Sequence, residues 1–206
     1  MSATLILKPG KERPLLRRHP WIFAGGIARV SGKPAPGDTV RIESADGRFL
    51  GWAAFSPASS IRARLWSVDE AAQIDEAWIG QRIAAAIGRR AALTRDSDAL
   101  RLIFGEGDGL PGLVVDRYGD QLVMQLMATG VERWRDAIAA ALREATGLAD
   151  LYERSDASAR EREGLALREG TVSGRTPGSA LPVSEHGVKY LVDVPAGHKT
   201  GFYIDQ

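Results

Sequence analysis

The residues best suited to chemistry in this chain are cations set beside flat rings. Arg13-Pro14-Leu15-Leu16-Arg17-Arg18-His19-Pro20-Trp21-Ile22-Phe23 joins four basic side chains to two aromatics within eleven positions. Cations neutralise phosphate, and an unpaired base stacks on an open ring, so the pattern points to RNA. Downstream, Ile61-Arg62-Ala63-Arg64-Leu65 alternates strictly, which puts two arginines on one face of a strand. Ser56-Pro57-Ala58-Ser59-Ser60 adds small hydroxyls able to donate to phosphate. Arg17, Arg18, Arg62 and Arg64 are therefore expected to contact RNA backbone. Trp21 and Phe23 read more readily as core residues.

Other chemistries fail on spacing. Gly107-Asp108-Gly109-Leu110-Pro111-Gly112 fits G-x-G-x-x-G in letters. A β-like run follows it, however, where a dinucleotide site needs a helix N-terminus. Glu106 and Asp108 would also set negative charge against phosphate, so the stretch reads as a glycine-rich connection between strands. Lys199-Thr200 lacks the glycines of a phosphate-binding loop, with His198 and Asp193 in their places. The three histidines, 19, 186 and 198, show no metal-ligand spacing, and there is no cysteine, so neither a metal site nor catalytic residues are expected. The pairs Glu161/Glu163 and Asp96/Asp98 lie among polar neighbours and read as surface or helix caps.

The elements that must carry these residues divide the chain. Thr4–Lys8, Trp21–Phe23, Ile27–Val30, Thr39–Glu43, Arg48–Phe55 and the alternating run at 61–65 read as short strands, with one helical turn within Lys11–Arg18. Short strands broken by Gly and Pro imply a small β-barrel. From Asp69 the period changes. Ile74, Trp78, Ile79, Ile83 and Ile87 predict a helix over 73–93, and Val131, Trp134, Ile138 and Leu142 a second over 131–146. Leu100–Phe104, Leu113–Asp116, Leu122–Met127 and Asp150–Glu153 read as strands, 170–180 as a loop, and Pro182–Glu185 with Lys189–Val194 as a closing hairpin. The fold class is α+β: a barrel followed by a central α/β domain of alternating strands and helices.

Composition supports that division. The 206 residues carry a net charge of +1, yet residues 1–66 hold 11 Lys and Arg against 4 Asp and Glu, leaving 16 against 22 in the rest. A basic first third suits an anionic partner. Met1–Gly10 has no apolar core of signal-peptide type, and no apolar run approaches about 18 residues, so a cytoplasmic chain with no membrane role is expected.

At these motifs the chain resembles the bacterial 23S ribosomal RNA large subunit methyltransferase I family. The likeness runs through Leu16-Arg17-Arg18-His19-Pro20-Trp21, Phe55-Ser56-Pro57-Ala58-Ser59, Ile61-Arg62-Ala63-Arg64, Gly105–Gly112, Glu153-Arg154-Ser155-Asp156, Glu185-His186-Gly187 and Gly197–Gln206. The resemblance implies a PUA-like RNA-binding domain at 1–68, a central domain at 73–185, and at 186–206 a hairpin with the start of a Rossmann-like methyltransferase domain otherwise absent from this chain. It further implies cytosine-C5 methylation of ribosomal RNA with S-adenosylmethionine. RNA contacts at Arg17, Arg18, His19, Ser56, Arg62, Arg64 and Arg154 follow from it. In a full-length member, Lys199, Thr200, Gly201, Tyr203, Asp205 and Gln206 would lie along the cofactor pocket.

Cytosine-C5 methylation needs a nucleophile that adds to C6, usually a cysteine thiolate, and this chain has none. The chain alone is therefore expected to bind no cofactor and to be inactive. A stand-alone RNA-binding adaptor and a protein-binding scaffold with no RNA role are the alternatives. Leu191, Val194, Phe202, Tyr203 and Ile204 are expected to form an exposed apolar tail able to make a homodimer.

Overall fold

A computed structural model describes residues 3–204. The first unit is a six-stranded sheet: β1 (Thr4–Leu7), β2 (Trp21–Phe23), β3 (Ile27–Ser31), β4 (Thr39–Glu43), β5 (Phe49–Phe55) and β6 (Ile61–Ser67), with α1 (Arg13–Leu16) between β1 and β2. The strand order is β2-β6-β5-β4-β1-β3. The two outermost strands, β2 and β3, are consecutive in the chain and joined by only the 3-10 turn Ala24–Gly26, so the sheet curls round on itself. Alternation sets its interior. Leu5, Leu7, Val40 and Ile42 point inward from β1 and β4 and pack with Leu15, Ile22, Ala53, Phe55 and Ala63.

The second unit is a five-stranded sheet in the order β11-β10-β9-β8-β7, built from β7 (Ala99–Phe104), β8 (Leu113–Tyr118), β9 (Gln121–Leu126), β10 (Asp150–Ser155) and β11 (Arg168–Ser173). α2 (Glu76–Arg89), α3 (Thr129–Arg133) and α4 (Arg135–Thr146) accompany it, and α5 (Ala159–Arg162) lies between β10 and β11. Within this sheet, among the described residues, only β9 and β10 pair in parallel, because α3 and α4 form the crossover between them. Asp75 caps α2, its carboxylate accepting from Trp78 N–H at 2.8 Å. Ile79, Ile83, Ile138 and Leu142 fill one core with Leu113, Val115, Leu122 and Met124.

Three expected boundaries move. The helix expected over 131–146 is two helices, broken at Trp134, whose backbone leaves the helical range. The helix expected over 73–93 ends at Arg89, and 93–95 is a separate 3-10 turn. Part of the loop expected over 170–180 is β11, paired antiparallel with β10 through Ser173. β11 is an exposed edge strand of mostly polar residues, so no hydrophobic period announces it.

The hairpin β12 (Leu181–Glu185) and β13 (Val188–Val192) turns at His186-Gly187 and covers the sheet face opposite the helices. Glu185 is the last residue of β12, so a boundary between 185 and 186 falls inside this hairpin. The expected apolar tail is only partly exposed. Val194 and Ile204 are buried against Tyr118, Val123 and Tyr152, whereas Leu191, Phe202 and Tyr203 stay open. Burying an aliphatic side chain is worth about 1.5–3 kcal/mol, which favours docking the tail on its own sheet.

The two units share a core. Ala54 and Trp66 of the curled sheet belong to the cluster under α2 and α4. Gly130 in α3 sits so close that a Cβ there would come within 2.4 Å of the Ala54 Cβ and 2.8 Å of the Trp66 ring. Only glycine permits that approach.

Candidate functional site

The basic-aromatic run lies around α1 and β2. Arg17 and Arg18 follow the last turn of α1, exposed and without a carboxylate partner among the described residues. Arg18 holds φ +66°, a left-handed conformation uncommon for a side chain of this size. Exposed His19 accepts the Trp21 backbone N–H on Nδ1 at 3.2 Å. The expectation that Trp21 and Phe23 are core residues is corrected. β2 alternates, so Ile22 enters the core while Trp21 is half-buried and Phe23 is 50% exposed. His19, Trp21 and Phe23 form a cluster with ring centroids 5.7–6.4 Å apart. Beside it is a concavity of about 400 Å³, bounded by Lys11, Leu15, Trp21, Phe23 and Gly25. Exposed cations and an exposed aromatic ring carried on one unit can hold phosphate and stack a base.

The second arginine pair separates into two roles. Arg62 is half-buried and donates from Nη1 to the Pro57 carbonyl. Arg64 instead makes a bidentate pair with Glu163, both bonds 2.9 Å, with side-chain exposures of 11% and 3%. Ser56 is buried, its hydroxyl donating to Glu163 at 2.8 Å and lying 2.6 Å from Thr129 Oγ1. Thr129 in turn donates to the Phe55 carbonyl at 2.9 Å. Arg64 and Ser56, expected as RNA contacts, thus join the curled sheet to α3 and to the residue that follows α5. Their hydrogen-bonding capacity is used internally.

Arg154 is likewise internal. Its Nη1 donates to the carbonyls of Val194 and Gly197, each at 2.8 Å, and its Nη2 pairs with Asp156 at 2.9 Å. It pins the segment after β13 to β10. In the strip expected to line a cofactor, Thr200 is fully buried, donating to Asp116 at 2.5 Å and lying 3.0 Å from the Tyr118 hydroxyl. Burial and the Asp116 charge raise the Tyr118 phenol above its ordinary value. Gly201 is buried too, and a Cβ there would come within 2.9 Å of Val192. Lys199 and Tyr203 are the exposed pair, the ammonium 4.6 Å from the ring centroid. Asp205 and Gln206 lie outside the described residues.

The glycine-rich stretch is a connection between strands. A 3-10 turn at Gly105–Asp108 leads through Gly109 at φ +73° and Gly112 at φ +86° into β8. Sequence reasoning missed its anchors. Trp21 Nε1 donates to Glu106 at 2.8 Å, and the buried Asp108 side chain pairs with Arg89 at 2.6 Å and Arg90 at 3.0 Å. The acidic residues at 106 and 108 that argued against phosphate were the available signal. Among the described residues no group of three or more His, Cys, Asp or Glu side chains could hold a metal, and no helix is long and apolar enough to cross a membrane.

Comparison with known proteins bears on both units. The family model described as a PUA-like domain matches residues 5–68. Ribosomal RNA large subunit methyltransferase I of Cronobacter sakazakii is 47% identical over 208 residues, covering all of this chain and 52% of that protein. The protein of the same name from Escherichia coli K12 is 46% identical with the same coverage. The chain therefore spans about half the length of these curated relatives. Among solved structures, "A putative sam-dependent methyltransferase from Streptococcus mutans" superposes with a TM-score of 0.80 at 21% identity, over 98% of this chain and 51% of that one. A second structure, of a methyltransferase complexed with SAH, gives the same values. At that identity the likeness is one of fold.

Proposed function

We propose that this chain, 46–47% identical to half-covered relatives described as ribosomal RNA large subunit methyltransferase I, is the RNA-recognition portion of such an enzyme. One observation carries the reading. Arg17 and Arg18 are exposed with no carboxylate partner among the described residues, and His19 packs at 6.4 Å from the exposed Phe23 ring, all on the unit that matches a PUA-like domain. With Arg62 they form the proposed grip on ribosomal RNA. The role implies a cytoplasmic protein working near the ribosome.

The methyl transfer itself is assigned to groups outside these 206 residues. Cytosine C5 becomes nucleophilic only after a group adds to C6, and the chain has no thiol to do so. S-adenosylmethionine is the cofactor the family implies. In the described part of the strip Thr200 and Gly201 are buried, while Lys199, Phe202 and Tyr203 are exposed. The proposal is that 199–206 borders the cofactor pocket while other residues hold the cofactor.

The test is RNA affinity across a salt series. The double variant Arg17→Ala/Arg62→Ala is expected to weaken binding to all sequences alike and to reduce the salt slope by about 1 for each arginine. An unchanged affinity and slope would remove this face from the interface. Methyl incorporation into RNA by the purified chain would refute the division of labour.

A further inference from the structure

We propose that the uncovered part of the second sheet is a separate binding site for one unpaired nucleotide. The inference rests on the reading of the chain as an RNA-binding protein, but on a face apart from the Arg17, Arg18 and Arg62 grip. The face opposite the helices is covered by the hairpin and tail only as far as the row of Asp116, Val123 and Tyr152. Among the described residues, none of the hairpin or tail core packs over the next row. Register places Phe104 against Val114 and Val114 against Gln125, and Arg154 is the position on β10 beyond the Glu153–Met124 pair. A concavity of about 450 Å³ lies over this row, floored by Val114 and Met127.

Two of its lining residues, Gln125 and Arg154, carry polar side chains on residues that are themselves largely buried. Gln125 is only 8% exposed, yet its side-chain amide has no hydrogen-bond partner among the described residues. The amide is open to the cavity it lines and offers it both a donor and an acceptor. Arg154 is 7% exposed, and its Nε is also without a partner.

The charges select the ligand. Arg101 is held by Asp116 at 2.8 and 3.0 Å, and Arg154 by Asp156. Lys199, at the rim, pairs with no carboxylate among the described residues and is held at φ +54°. One uncompensated cation suits one phosphate. A bare anion would leave the amide acceptor and the apolar floor unused. A nucleotide uses all three: its base covers Val114 and Met127, the base edge meets the amide, and the phosphate meets Lys199. Phe104, 58% exposed at the sheet edge, adds a ring for stacking.

The test uses the whole chain and NMR titration with cytidine and uridine 5′-monophosphates, with inorganic phosphate as control. Nucleotides should shift the Gln125 side-chain NH2 signals and phosphate alone should not. Gln125→Leu, which keeps the volume, should weaken nucleotide binding about tenfold, and Phe104→Ala about fivefold. Equal shifts from phosphate alone, or nucleotide binding indifferent to Gln125→Leu, would overturn the site. The Arg17→Ala/Arg62→Ala variant should keep the Gln125 response. If that response persists while RNA affinity ignores the two arginines, the barrel reading fails and the sheet site stands.

Discussion

Removing Arg64 should cost the protein stability rather than RNA contacts. Its guanidinium makes two 2.9 Å bonds to Glu163, whose side chain is 3% exposed, while Arg64 keeps 11%. Breaking a buried pair from one side strands the other charge and costs about 3–5 kcal/mol. Arg64→Ala strands the more buried partner, so it belongs near the middle of that range, about 4 kcal/mol. Glu163→Ala leaves an arginine with some reach to water, and Ser56 keeps Thr129 as a partner, so about 3 kcal/mol is expected. The double variant should fall well short of the sum, with a coupling of about 2–3 kcal/mol. Urea unfolding of the wild type, both single variants and the double variant closes the cycle. Because Ala54 and Trp66 tie both units into one core, a single transition is expected. Single costs below about 1 kcal/mol with negligible coupling would mean a solvent-screened surface pair and refute the argument. A salt slope for RNA binding that falls in Arg64→Ala as it does for Arg17 and Arg62 would refute it from the other side.

Acid should weaken the anchor of the glycine-rich connection. Burial pushes the Asp108 carboxyl up, but hydrogen bonds from Arg90, Arg89 and the Phe104 N–H outweigh it and hold the group below its ordinary value. A folded-state pKa below the unfolded one stabilises the fold above about pH 4 and loses that contribution as pH falls through the folded value. Asp108→Asn should flatten the acid limb of stability against pH; a limb of unchanged steepness would acquit this residue. For the exposed Leu191, Phe202 and Tyr203, 67%, 45% and 55% accessible, we propose contact between two copies. Sedimentation should show a dimer that Leu191→Ser with Phe202→Ser returns to monomer, whereas a monomer at every concentration would sink the idea.

Local pattern announces which face a residue occupies, and it does so clearly where one face is dry. β1 and β4 alternate between core and surface, and both stand within a residue of where alternation puts them. β11 escapes because an exposed polar edge has no dry face to mark. The α3–α4 break escapes because Val131, Trp134, Ile138 and Leu142 keep a helical period across a residue that is not helical. The site residues show a sharper limit. Arg62 and Arg64 share one face of β6, and nothing within five residues distinguishes their fates. What separates them is Glu163, 99 positions away from Arg64, just as Ser56 meets that carboxylate across 107 positions and Arg154 meets Gly197 across 43. Residue type identifies a cation that could hold phosphate. Only the fold decides whether a carboxylate reaches it first: Glu163 reaches Arg64, whereas Arg17 and Arg18, past the end of a single helical turn, stay exposed and remain available for the contact proposed for them.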